Sequence, residues 1–206
     1  MIAVVDYGVN NLRSVVRAFA AAGHSATLTA DPGEVARAER VLVPGVGNFG
    51  QGMKNLVTSG LADAIREAAR RPVPVLGICL GMQLFFPASE EAPGTSGLGL
   101  LPGEVRRLRT TLPLPHVGWA GVRLTAEGER HPAVGPLFGG AMQFFYHVHS
   151  YYPAEVPRGV TLATADYGGE FATVVGCDNV LGVQFHPEKS QRTGIEFLSR
   201  FVAWRP

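Results

Sequence analysis

Cysteine is scarce in this chain: two of 206 residues, Cys79 and Cys177. Two cysteines cannot make a disulfide framework, and no pair has zinc spacing. Charge is sparse as well, at 17% of residues, and nearly balanced: 18 Lys and Arg against 17 Asp and Glu, for a net charge of +1. No long basic run appears, which argues against a nucleic-acid or anionic-membrane partner. No apolar stretch approaches the ~18–20 residues that span a bilayer. The opening Met1-Ile2-Ala3-Val4-Val5-Asp6 lacks the basic region and longer apolar stretch of a signal peptide. The expected address is therefore the cytoplasm, with both cysteines kept as thiols.

What is present is a globular composition. Hydrophobic residues make up 46%, which excludes disorder, and the 26 Gly and 15 Pro are scattered as turn punctuation. A chain of this length can bury roughly 70% of its unfolded surface, and with no repeat or linker in sight, residues 1–206 read as one domain.

The first half alternates strand and helix. Ile2 to Val5 is a continuous apolar run, as in a strand buried on both faces. Leu12, Val15, Val16 and Phe19 follow at helical spacing, stopped by Gly23. Ser25 to Thr29 suits a second strand, and Asp31-Pro32-Gly33-Glu34 reads as a capped helix start. Arg40 to Val43 and Val73 to Ile78 are further strands, with helical segments between them broken near Gly60. The second half changes to short strands joined by turns: Val105 to Leu108, Gly121 to Thr125, Gln143 to Val148, Val160 to Ala165, Phe171 to Val175 and Val180 to Phe185. Asp178-Asn179 suits a tight hairpin, and a helix closes the chain from about Gln191 to Trp204. The expected fold is α/β: a mostly parallel central sheet flanked by helices, with an additional antiparallel β layer.

Three segments carry chemistry. Gly77-Ile78-Cys79-Leu80-Gly81-Met82-Gln83 follows a buried strand and precedes a helical run. A nucleophile there needs a sharp turn, and glycines two before and two after remove the Cβ clashes of that turn. The helix N-terminus favours a thiolate, although a lone cysteine is more often simply buried. His186, in Gln184-Phe185-His186-Pro187-Glu188, is the candidate base. Pro187 biases it toward extended backbone, where residues two apart share a side, so Glu188 can orient the ring. Cys79, His186 and Glu188 then form a nucleophile, base and orienting acid. Pro44-Gly45-Val46-Gly47 is the third segment. Its loop amides, at Val46 and Gly47, and the amide of Leu80 are candidate oxyanion donors. Alone, such a loop is more often a plain turn; all three segments, however, fall at carboxyl ends of strands, where open α/β sheets place ligands.

Together these segments resemble the class I, triad-type glutamine amidotransferases. Pro113-Leu114-Pro115-His116-Val117-Gly118-Trp119, His149-Ser150-Tyr151, Gly182-Val183-Gln184-Phe185-His186-Pro187-Glu188 and the opening Asp6-Tyr7-Gly8-Val9-Asn10-Asn11-Leu12 narrow the resemblance to the glutaminase subunits of imidazole glycerol phosphate synthases. That resemblance implies hydrolysis of L-glutamine through a thioester on Cys79, with the ammonia passed to a (β/α)8-barrel cyclase subunit in histidine synthesis. It implies no cofactor and no metal. It assigns Gln83, Glu91, Ser150 and Tyr151 to glutamine binding and places Asn10, Asn11 and Trp119 on the face toward the cyclase.

Some residues stand apart. Ala120 lies where the resemblance leads one to expect Asn, and is either an interface contact or solvent-facing. His147 and His149 share a strand face but make only half a metal site. His24, His116 and His131 fall in loop-like or edge contexts, and Cys177 reads as structural. Competing readings are a glutaminase of another pathway, a cysteine peptidase-like hydrolase, and a non-catalytic interaction module on the same fold.

Overall fold

The computed structural model describes residues 1–206. Strands β1 (Ile2–Val5), β2 (Ala26–Thr29), β3 (Arg40–Val43) and β4 (Val75–Ile78) alternate with helices α1 (Leu12–Ala21), α2 (Pro32–Arg37), α3 (Phe49–Thr58) and α4 (Leu61–Ala69). Helix α5 (Leu80–Gln83) follows β4 at once. The later elements are β5 (Glu104–Arg107), β6 (His116–Leu124), α6 (Ala126–Arg130), α7 (Gly135–Phe138), β7 (Gln143–His149), β8 (Tyr151–Ala154), β9 (Thr161–Asp166), β10 (Glu170–Cys177) and β11 (Val180–Val183). A 3₁₀ turn at Pro187–Lys189 leads into α8 (Gln191–Ala203).

Nine strands form one sheet in the order β2-β1-β3-β4-β11-β10-β9-β6-β7. From β2 to β11 neighbours are parallel; from β11 to β7 they are antiparallel. The strands β1, β3, β4 and β11 are buried throughout, which explains their near-continuous apolar sequences. Alternate residues feed two cores. Ile2 and Val4 join Val15, Phe19, Phe197 and Phe201 on the side of α1 and α8. Ala3 and Val5 join Phe49, Leu56, Leu61 and Ile65 on the side of α3 and α4.

The expected helix start at Asp31 is present: its carboxylate accepts from the Gly33 and Glu34 amides at 2.7 and 3.3 Å. Gly60, at φ 73, separates α3 from α4. The separate antiparallel sheet is only the β5–β8 pair; the other strands of the second half extend the main sheet. Two sequence expectations need correction here. Strand β6 begins at His116 rather than Gly121, because Gly118 and Gly121 interrupt an apolar alternation that the pairing with β7 sustains. Strand β8 was not anticipated, as Tyr-Tyr-Pro-Ala has neither alternation nor length to announce it.

The sheet ends abruptly at the turn after β4. A Cβ on Gly81 would lie 1.8 Å from the Val43 carbonyl oxygen, and one on Gly77 would lie 2.5 Å from the Met82 Cα. Backbone cannot yield to such contacts as a flexible side chain can. Gly81→Ala is therefore expected to destabilise the fold by about 3 kcal/mol or more, read from urea unfolding; a loss under about 1 kcal/mol would mean that this packing is looser than described.

Candidate active site

Cys79 occupies the junction of β4 and α5 with φ 51 and ψ −111, a conformation costing a non-glycine residue about 1–3 kcal/mol. It is held there from both sides: its amide donates to the Val183 carbonyl at 2.8 Å, and the next amide, Leu80, donates to the Gly45 carbonyl at 3.3 Å. The side chain is thereby turned away from the sheet toward a cleft of about 190 Å³. That cleft is lined by Val46, Gly47, Cys79, Leu80, Gln83, Glu91, His149, Ser150 and Tyr151, among others. Every residue expected to bind glutamine or the oxyanion thus borders one space.

The Cys79 sulfur lies 3.8 Å from the Val148 carbonyl, in position to donate its proton there, and 3.6 Å from Gln184 Nε2. Behind it stands His186, whose Nδ1 is 2.8 Å from Glu188 Oε1. Both side chains are only 1% exposed. His186 Nε2, the nitrogen opposite that bond, has no hydrogen-bond partner and is free to exchange a proton. Burial works against a charged imidazole here, but the facing Cys79 sulfur, once ionised, and Glu188 override it and lift His186 to about 10.

The His186–Glu188 contact does not arise as the sequence suggested. His186 itself is extended, at φ −103 and ψ 97, but Pro187–Lys189 coils into a 3₁₀ turn. It is this turn, rather than an extended run, that folds the carboxylate back onto the ring. Ser190 locks it, donating to the His186 carbonyl at 2.6 Å and accepting from the Tyr146 amide at 3.0 Å. Asn11, which the resemblance places on a partner face, donates from Nδ2 to Glu188 Oε1 at 2.9 Å, while Asn10 is exposed. Trp119 is 47% exposed and meets the Tyr146 ring edge-on at 6.2 Å.

Glu91 has one oxygen engaged by the Phe49 amide at 2.7 Å, at the start of α3, and leaves the other toward the cleft. Gln83 donates both Nε2 protons to protein acceptors, the Tyr151 carbonyl at 3.0 Å and Gln184 Oε1 at 3.1 Å. Only its carbonyl oxygen remains, so it can receive an N–H from a ligand. Tyr7, on the loop after β1, was not singled out by sequence. Its hydroxyl donates to the Pro44 carbonyl at 2.6 Å and props the Gly45 loop from below, and burial raises its pKa. Gln184 was likewise quoted within a motif but given no role.

Three histidines beside the cleft behave oppositely to His186. His116 is not in a loop but buried in β6, stacked on Tyr167 at 4.0 Å. His149 contacts His116 through Nε2 and Nδ1, 3.3 Å apart, and the Tyr151 carbonyl through its own Nδ1 at 2.9 Å. His147 uses Nδ1 on the Phe145 carbonyl and Nε2 on the Thr173 hydroxyl. With their nitrogens spent on protein groups, His147 and His149 have nothing left for a metal. Ala120 is also buried, packed in the core on the α1–α8 side, so it is not solvent-facing.

A family model described as glutamine amidotransferase class-I matches residues 3–204, and the chain belongs to that family. Its relatives include the imidazole glycerol phosphate synthase subunit HisH of Moorella thermoacetica, 48% identical over 202 residues, or 97% of this chain and 93% of that protein. The HisH subunit of Symbiobacterium thermophilum is 46% identical over 202 residues, 97% of this chain and 92% of its own length. Identity of this degree over nearly the whole chain groups it, within the class, with the HisH subunits. Among solved structures, PurLQS from Thermotoga maritima has a TM-score of 0.76 at 19% identity, covering 98% of this chain and 97% of that one. That likeness is one of fold.

Burial depresses His149 to about 3 and holds His147 well below its ordinary value. Below about 6.5 the unfolded chain accepts protons that these folded rings refuse, down to about 3 for His149, so stability must fall as pH falls through that range. Each ring contributes up to about 1.4 kcal/mol per pH unit. His147→Gln should flatten the acid limb of the unfolding free energy against pH; a slope parallel to wild type would show that the ring is not kept neutral by the fold.

Proposed function

We propose that Cys79, His186 and Glu188 hydrolyse L-glutamine to glutamate and ammonia through a γ-glutamyl thioester, in a chain whose residues 1–206 work as one glutaminase domain. The observation that carries this reading is the free Nε2 of a His186 whose other nitrogen is fixed by Glu188, beside a strained Cys79 in the cleft. His186 takes the thiol proton as sulfur attacks the side-chain amide carbon. The same nitrogen then returns the proton to the departing ammonia. In the second half it takes a proton from water, which opens the thioester and releases glutamate.

The oxyanion formed at each attack needs donors. Leu80 offers its amide at the start of α5, but the Gly45 carbonyl already occupies it at 3.3 Å. We read this as a resting state. Rotation of the peptide between Gly45 and Val46 would withdraw that oxygen, free Leu80 and turn an amide of the Val46–Gly47 loop inward. The rotation changes ψ of Gly45, where the absence of a side chain leaves the backbone free to turn. Glu91, Ser150, Tyr151 and the Gln83 oxygen would hold the amino-acid end of glutamine.

Ammonia release has a purpose only beside an acceptor. HisH relatives are subunits of imidazole glycerol phosphate synthase, and we assign this chain the same role beside a cyclase subunit in histidine synthesis. The face we assign to the cyclase carries Asn10, Asn11, Trp119 and Tyr146, with Lys189 lying 5.7 Å from the Tyr146 ring centroid. Tyr146 also accepts the His186 amide at 2.8 Å, so pressure on this face is one peptide from the base. A cytoplasmic setting fits the free thiols of Cys79 and Cys177.

Cys79→Ala should abolish glutamine hydrolysis while leaving the synthase reaction intact with added ammonium salt. His186→Ala is expected to lower kcat about a thousandfold or more, and Glu188→Gln by less, because the carboxylate orients without transferring the proton. Failure of ammonium to restore synthesis would contradict ammonia delivery, and equal losses in the two variants would contradict the division of labour.

A further inference from the structure

A buried amide faces the reacting sulfur. We propose that Gln184 is a catalytic hydrogen-bond donor that stabilises the Cys79 thiolate, and that Gln83 and the Tyr151 carbonyl set its orientation; this rests on the reading of Cys79 as nucleophile. Gln184 is fully buried in the segment between β11 and His186. Its Nε2 lies 3.6 Å from Cys79 Sγ, and its Oε1 accepts from Gln83 Nε2 at 3.1 Å.

The polarity of this chain follows from one group that can only accept. The Tyr151 carbonyl, already bonded to His149 Nδ1, receives Gln83 Nε2 at 3.0 Å. Reversing the Gln83 amide would set oxygen against oxygen at Tyr151, so its nitrogen must point there. That nitrogen also faces Gln184, which must answer with oxygen and hence present its N–H to sulfur. Were Gln184 reversed, its oxygen would accept the thiol proton and hold the sulfur protonated. As built, the thiol proton is directed instead to the Val148 carbonyl, and the amide is left to serve the anion.

A hydrogen bond to an ionised acceptor is worth more than one to a neutral group, so this contact strengthens as sulfur ionises. The thioester lowers the charge on sulfur and weakens it. The donor therefore favours the thiolate before attack without binding glutamine. Other ionisable groups near the sulfur are Tyr7 from the loop after β1, His149 from β7, His186 with Glu188 behind it, and Glu91 at the far side of the cleft. None of them can replace an N–H donor at the Gln184 position.

The test is alkylation of Cys79 by iodoacetamide in the full chain as a function of pH, followed by peptide mass spectrometry so that Cys177 is counted separately. Gln184→Met preserves the length of the buried side chain and removes the amide. It should slow alkylation of Cys79 about tenfold near neutral pH, with the deficit closing as pH rises. In glutaminase assays with the cyclase partner, kcat should fall while KM for glutamine holds, because Gln83 keeps its bond to Tyr151. Profiles that superpose on wild type at every pH would overturn the proposal. Should Gln184→Met not fold, the wild-type chain still decides. The Gln184 side-chain amide proton, followed by NMR, should move with the midpoint of the alkylation profile, and a resonance that stays fixed refutes the contact. Cys79→Ala separates the two claims: if it retains glutaminase activity the nucleophile reading fails, whereas an inactive Cys79→Ala with an unaltered Gln184→Met sinks only the role of Gln184.

Discussion

The backbone of Cys79, held at a strained positive φ at the end of β4, is the constraint from which the rest of the site follows. In extended backbone the residue after Ile78 would turn its side chain to the opposite face of the sheet, among the apolar side chains on the α3–α4 side. The strain is sustained by what surrounds it. Amide bonds run to Val183 on one side and Gly45 on the other. On either flank, glycines admit the Val43 carbonyl and the Met82 backbone at distances no side chain would permit. Parallel strands β3, β4 and β11 end together, so the Gly45–Gly47 loop, Cys79 and the segment leading to His186 emerge at one edge. The sheet does not itself do chemistry; it fixes the separations at which chemistry is possible.

Electrostatics then divides four buried histidines into two kinds. His147 and His149 are kept neutral because burial dominates and their neighbours are carbonyls, a hydroxyl and other imidazoles. His186 is as deeply buried, yet a carboxylate on one side and an ionisable sulfur on the other reverse the outcome. The same side chain is thus held neutral or favours its charged form according to its partners. The neutral pair also has a positional use. His149 engages the Tyr151 carbonyl, the acceptor that orients Gln83 and through it Gln184.

Much of this was legible in the sequence wherever the physics is local. The Gly-x-Cys-x-Gly spacing announces the elbow, since the close approaches it relieves lie within the turn or at the adjoining strand end. His186 and Glu188 are two residues apart and found each other as expected, though through a 3₁₀ turn that the extended reading missed. Relations across the chain were not legible. Asn11 and Glu188 are 177 residues apart, and nothing near either announces the bond. Gln184 reaches Cys79 only because β11 pairs in parallel with β4. His116 and Ala120 seemed peripheral because the glycines around them masked a strand whose burial depends on β7 and β9.

The proposed nucleophile and base are both in place, while one proposed oxyanion donor, the Leu80 amide, is spent on the Gly45 carbonyl. The most direct test of this arrangement is the rate of glutamate release from glutamine by the chain alone, with the cyclase subunit, and with the cyclase loaded with its nucleotide ligand. Strong hydrolysis only in the loaded complex is the predicted result, with the isolated chain nearly idle. Equal rates in all three conditions would contradict the account, because they would mean that the resting loop already stabilises the oxyanion.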